Sequence, residues 1–169
     1  MAEQSPPSKA QLVESLRSGA ADTVARLRSL PAETFEQGRY ENGWNGRQIL
    51  AHISSIEWTY PRLVDLARGA SQPRPAAPAG ASSGGGMRGG INDYNERQVE
   101  KRAGASVGEL IDEFETNRAA TIAAVESADE ALFATPIRSA GGITGPLSSV
   151  ITAIAVLHVA QHVNDIVAQ

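Results

Sequence analysis

Two of the three histidines in this chain, His158 and His162, sit four residues apart in a long apolar stretch near the C-terminus, and the third, His52, lies among Ile49, Leu50, Ile53 and Ile56. Residues at i and i+4 share one face of a helix, so the pair can aim both imidazoles at one atom. If His52 joins them, two helices distant in sequence must run antiparallel with those ends side by side. This pattern constrains the fold more tightly than any other in the chain.

A lone histidine on an apolar face is usually a core residue with one hydrogen-bond partner. A pair on adjacent turns is harder to bury, because Gln161, Asn164 and Asp165 are the few polar neighbours available to its four ring nitrogens. A metal ion relieves this by taking one nitrogen from each ring, which makes His52, His158 and His162 the expected ligand set. A hydrogen-bonded core pair and an acid or base role without metal are the other two readings.

Ser8 to Leu30 carries Leu12, Leu16, Val24 and Leu27 at helical spacing and is stopped by Pro31. An irregular stretch follows to Trp44. Asn45, with Gln48 three residues on, predicts a capping box for a second helix that runs to about Arg68 and bends near Pro61. A third helical region begins near Ile91, pauses at Gly104 and restarts at the Ser106 and Glu109 capping box, with Leu110, Phe114, Thr121, Ile122 and Val125 on its core face. Ala128 to Gly145 reads as a turn-rich connection, and Pro146 suits the first position of a fourth helix.

Between the second and third helices, residues 69–90 read GASQPRPAAPAGASSGGGMRGG, which has almost nothing large and apolar to bury and predicts an irregular linker. Its length matters for topology. If helices two and four are antiparallel, and three and four are also antiparallel, then two and three run parallel and need a long return. Helix two spans about 36 Å at 1.5 Å per residue, and the linker can reach about 70 Å when extended. The expected fold is therefore all-α, a four-helix bundle of up, down, down, up topology forming one domain over residues 1–169, with a crossover at 69–90. That arrangement brings Asn92, Asp93 and Asn95 to the histidine end.

The chain has no cysteine, so disulfides and thiolate ligands are excluded, and any thiol in its chemistry must come from a substrate. A net charge of −4 with scattered basic residues argues against a nucleic-acid footprint. Met1 to Lys9 lacks the apolar core of a signal peptide, and the longest apolar run, Ile151 to Leu157, ends at His158, so no membrane span is expected and a cytoplasmic location is. Gly80 to Gly84 spells G-x-S-x-G and Gly84 to Gly89 spells G-x-G-x-x-G, but neither follows a strand, so both read as accidents of composition. The pair His158-Val-Ala-Gln-His162 lacks the glutamate of H-E-x-x-H, which disfavours a zincin protease.

Asp165, three residues past His162, is a candidate to orient a ligand imidazole or to become a fourth ligand. Asn95 is the candidate for substrate contact at the rim. Trp44 reads as a hydrophobic staple for the second helix, and Glu57 as pointing away from the histidine face.

The segments Trp44 to Ile53 (WNGRQILAHI), Asn95-Glu96, Ser106 to Arg118 and His158 to His162, in this order and spacing, resemble the DinB-like superfamily, which includes the mycothiol-dependent maleylpyruvate isomerase type of domain. The resemblance extends over about residues 10 to 167. It implies a four-helix bundle holding a divalent ion, zinc or nickel first and iron next, through His52, His158 and His162. It also implies a low-molecular-weight thiol cosubstrate such as bacillithiol or mycothiol.

A site of three neutral imidazoles keeps the ion's double charge and leaves coordination positions open, as catalytic ions require. The leading expectation is a metal-dependent thiol S-transferase. A metal-dependent hydrolase, with Asp165 or an external group handling the proton, and a non-catalytic, metal-stabilised binding or stress protein are the alternatives. The expected partner is a small-molecule substrate, with a homodimer also open and neither nucleic acid nor membrane.

Overall fold

The computed structural model describes residues 6–40, 43–71 and 90–168. Helix α1 spans Lys9–Arg28, short α2 Ala32–Glu36, α3 Gly46–Glu57, α4 Pro61–Ser71, α5 Gly90–Lys101 and α6 Val107–Ser127. A 3-10 turn at Glu130–Ala134 leads into a two-stranded hairpin, β1 Pro136–Arg138 against β2 Thr144–Pro146. The last helix is continuous but not uniform: α7 Leu147–Ile151, a π-helical turn Thr152–Leu157, then α8 His158–Val167.

Three of these helices start at reciprocal capping boxes. Asn45 accepts from the Gln48 amide at 2.9 Å while the Gln48 side chain accepts from the Asn45 amide at 2.9 Å. Ser106 with Glu109 and Ser8 with Gln11 repeat the pattern. Each box satisfies two amides that the first turn would otherwise leave without partners.

Chain direction follows from two core clusters. At one end Leu12 and Leu16 of α1 pack with Leu63, Val64 and Ala67 of α4, Val125 at the end of α6, and Leu147, Val150 and Ile151 of α7. At the other, Leu27 of α1 packs with Ile49, Leu50 and Ile53 of α3, Leu110, Ile111 and Phe114 at the start of α6, and Val159, Val163 and Ile166 of α8. Thus α1 and the last helix run one way, while α3–α4 and α6 run the other. This is the up, down, down, up bundle. Each such side chain, fully buried, contributes about 1.5–3 kcal/mol.

The connection from α4 to α6 of the parallel pair consists of residues 72–89, which lie outside the described residues together with both glycine motifs, and then α5. Past them, α5 packs on α3 at the histidine end, with Val99 in the second cluster. The helix Leu147–Val167 is long and apolar enough to cross a membrane by length and composition, and here it supplies core side chains to both clusters.

Three details differ from expectation. The second helix does not bend at Pro61 but breaks: Tyr60 and Thr59 close tight turns onto Glu57 and Ile56, and Pro61 opens α4, where its missing N–H costs nothing. Pro146 is the cap of α7 rather than its first residue. Residues 31–44, expected to be irregular, hold α2, and beyond it Arg39 N–H donates to Trp44 O at 2.9 Å and Gly46 N–H to Gln37 O at 3.2 Å. Gly46 has no Cβ because one would stand 3.0 Å from Phe35 Cα, so the start of α3 can lie directly against α2.

Candidate metal centre

His52 is on the buried face of α3, and His158 and His162 are one turn apart on α8. Antiparallel packing of α3 and α8 brings all three together: one ring nitrogen from each lies within 4.8 Å of the other two. His158 Nε2 and His162 Nε2 stand 2.9 Å apart. The His52 ring crosses both partners nearly perpendicularly, at centroid distances of 5.5 and 5.1 Å.

Their surroundings decide which nitrogens carry protons. The hydrogen-bond contact of the His158 ring is with His162, whose own partners fix its tautomer. Tyr40 donates its hydroxyl proton to Asp165 Oδ2 through a short bond, so the Tyr40 oxygen is left to accept from His162 Nδ1 at 2.8 Å. With its Nδ1 proton directed to Tyr40, His162 presents the Nε2 lone pair to His158 Nε2. A proton carried by His158 Nε2 satisfies that contact in the metal-free protein, and a divalent ion would take up both nitrogens in its place. His52 adds a second signal, since its Nδ1 is buried with no hydrogen-bond partner among the described residues.

Burial, reinforced by the neighbouring rings, pushes His52 down to about 3. Burial and His158 push His162 to about 4, against the opposing pull of Asp165, and burial also lowers His158. The three rings are therefore held neutral, the form that ligates metal. The cluster fits a divalent ion by donor chemistry, by the orphaned nitrogen of His52 and by the close approach of one nitrogen from each ring.

The pH dependence of the metal-free protein follows. In the unfolded chain each histidine titrates near 6.5, so below that pH the unfolded state binds protons that the folded state refuses. Stability is full above about 6.5 and is lost as pH falls toward 4 and 3. Between pH 6.5 and 5 the loss is on the order of 2 kcal/mol for each of His52 and His162. Thermal melts across that window should show Tm falling with acid. A flat Tm from pH 7 to 5 would contradict buried neutral rings.

Asp165 sits on the Nδ1 side of His162, 3.4 Å away, and also accepts from Gln161 at 3.1 Å. Trp44 packs on the cluster that contains Ile49, as a staple would, but its ring also lies 5.5 Å from the ring of His52. It therefore forms a wall shared between the histidines and a cleft of about 230 Å³ between α3 and α5, lined also by Ala51, Val99, Glu96 and Arg102. Asn95 is one turn before Val99 on the same face of α5 and is partly exposed. Glu57 does lie away from the histidines, yet it is fully buried in an ion pair with Arg118, which the sequence reading missed. Tyr40 was missed as well; it comes from the loop once read as irregular.

The family model of the DinB superfamily matches residues 15–166. Among solved structures, the mycothiol-dependent maleylpyruvate isomerase superposes with a TM-score of 0.69 at 17% identity, covering 94% of this chain and 60% of that one. This chain thus spans less than two thirds of that one. A second similar structure, YfiT from Bacillus subtilis, described as a probable metal-dependent hydrolase with an unusual four-helix bundle topology, gives 0.68 at 14% identity over 99% of this chain and 90% of that one. A comparison with curated proteins gives no match.

Proposed function

The chain belongs to the DinB superfamily, and on that premise we propose that it is a metal-dependent enzyme of the cytoplasm acting on a small molecule, in which His52, His158 and His162 hold one divalent ion, zinc or nickel before iron. The observation that carries this reading is the convergence of one ring nitrogen from each histidine, with two Nε2 atoms 2.9 Å apart and the buried His52 Nδ1 without a hydrogen-bond partner among the described residues. When bound, the ion supplies Lewis acidity that lowers the pKa of a thiol or water placed on it.

The remaining roles belong to the protein. Tyr40 and Asp165 hold the His162 ring in one tautomer and one orientation. Trp44 walls the cleft on the His52 side and excludes water there. Asn95 is the candidate to orient a substrate at the rim. Asp165 accepts hydrogen bonds from Tyr40 and Gln161 on the Nδ1 side of His162 and is the carboxylate on α8 that would handle a proton in the hydrolase reading. A thiol cosubstrate such as bacillithiol or mycothiol suits such a site, because a thiol needs less help than water to lose its proton. The reaction proposed is S-transfer or thiol-assisted isomerisation of an electrophile. Hydrolysis is the second reading, favoured by the near-complete overlap in extent with the Bacillus subtilis structure.

Metal-loaded protein assayed on a panel of electrophiles, with and without each small thiol, separates the two. Thiol-dependent loss of electrophile is the expected result. Turnover of esters or amides at equal rates without thiol would transfer the assignment to the hydrolase. Tyr40→Phe is expected to weaken metal affinity by about 10- to 100-fold, the usual cost of losing a ligand's outer partner. Equal affinities in competition titrations would remove Tyr40 from the site. Asn95→Ala should lower substrate use with full metal content retained.

A further inference from the structure

The last helix contains a spacing that an ordinary α-helix cannot satisfy. Leu147, Ile151, Ala155, Val159 and Val163 are all buried, each four residues after the previous one. On an ideal helix such a series drifts about 160° around the axis. The π turn Thr152–Leu157 lies in the middle of the series, and the His158 amide itself closes it by donating to Ala153 O, five residues back. One extra residue in a turn takes back about 100° of that drift. The rewinding ends at His158, immediately before the face of α8 that carries both histidines.

A rewound turn frees carbonyls, and here two buried donors take them. Arg118 Nη2 of α6 donates to Ala155 O at 2.6 Å, and the Tyr60 hydroxyl donates to Ile154 O at 3.0 Å. Arg118 is itself held by Glu57 at the end of α3, with Nη2 to Oε2 at 2.9 Å. Its Nε stands 2.7 Å from Oε1, close enough for ion pairing though not aligned as a hydrogen bond. Both side chains are at most 2% exposed. A buried pair costs more in desolvation than packing alone can justify. Its position, one arm on α3 and one on the π turn, ties the element carrying His52 to the element carrying His158 and His162.

We infer that Glu57 and Arg118 are positioning residues: by fixing the π turn they set the rotation of α8 that makes the three histidines converge. The inference rests on the metal reading for its functional meaning, and on the helix geometry for its substance. The test replaces both partners together with apolar side chains of similar volume, Glu57→Met with Arg118→Met, an exchange that buried pairs often tolerate. Arg118→Lys is the milder variant, since one ammonium cannot bridge Glu57 and Ala155 O as the guanidinium fork does.

Full-length wild type and both variants are titrated with Co²⁺ alone, followed by its visible absorption, and crystal structures of the metal-free variants are compared with that of the wild type. The expected result for the double variant is retained helicity, an α-helical path through 152–157, histidines rotated away from His52, and Co²⁺ affinity lower by about 10- to 100-fold. Arg118→Lys should move the same way by a smaller factor. A folded variant of either kind that keeps the π turn and the wild-type Co²⁺ spectrum overturns the inference. Wild type that binds no Co²⁺ and no other divalent ion overturns the metal reading instead, and the variant structures still decide the positioning role.

Discussion

His158→Ala should leave the bundle folded and reduce bound metal from one ion per chain to a trace. His158 supplies one of the two facing Nε2 atoms, and without it His52 and His162 offer two nitrogens from different helices with no third histidine beside them among the described residues. The helices still bury both apolar clusters, so circular dichroism and Tm of the metal-free protein should change little. Removing a partially buried ring that is lowered by desolvation even relieves some acid sensitivity. Metal analysis after reconstitution and gel filtration reads the effect directly. Stoichiometric metal in the variant, with turnover intact, would falsify the assignment of His158.

Arg118→Ala is expected to cost about 3–5 kcal/mol, the loss typical when one partner of a buried pair is removed. Two groups are stranded. Glu57, whose carboxyl burial already pushes above the usual range against the pull of Arg118, loses that pull and protonates, and Ala155 O loses its donor. Against a total stability of about 5–15 kcal/mol this is a large fraction, visible as a lower denaturation midpoint with little change in slope. A loss under about 1 kcal/mol would mean that water or a rearranged side chain satisfies both groups.

The bundle's direction pattern was accessible from sequence because histidines are scarce. With only His52, His158 and His162 to bring together, few arrangements remain, and the long apolar-poor stretch at 69–90 makes the parallel pair feasible. Capping boxes at Asn45 and Ser106 marked helix starts through local chemistry, which needs no knowledge of the fold. Tyr40 offered no comparable signal: it meets His162 across 122 positions of sequence, and nothing local reveals such a contact.

Glu57 and Arg118 were hidden for the opposite reason. Charged side chains are rarely buried, so periodicity assigns them to the solvent face, and only the partner across the core makes burial tolerable. The π turn did leave a trace. Uniform spacing of four from Leu147 to Val163 exceeds the period of an α-helix and could have been read as a rewound turn. Trp44 was read as a staple because its neighbour Asn45 explains that position locally, and its place against His52 depends on how the 37–46 loop folds back.

The most direct test of the central claim is an anomalous-diffraction map of zinc-loaded crystals at the zinc edge. The account predicts one strong peak per chain, about 2.0–2.1 Å from one nitrogen each of His52, His158 and His162. A map with all three rings ordered as described and no peak among them, or a peak held by other residues, would contradict it.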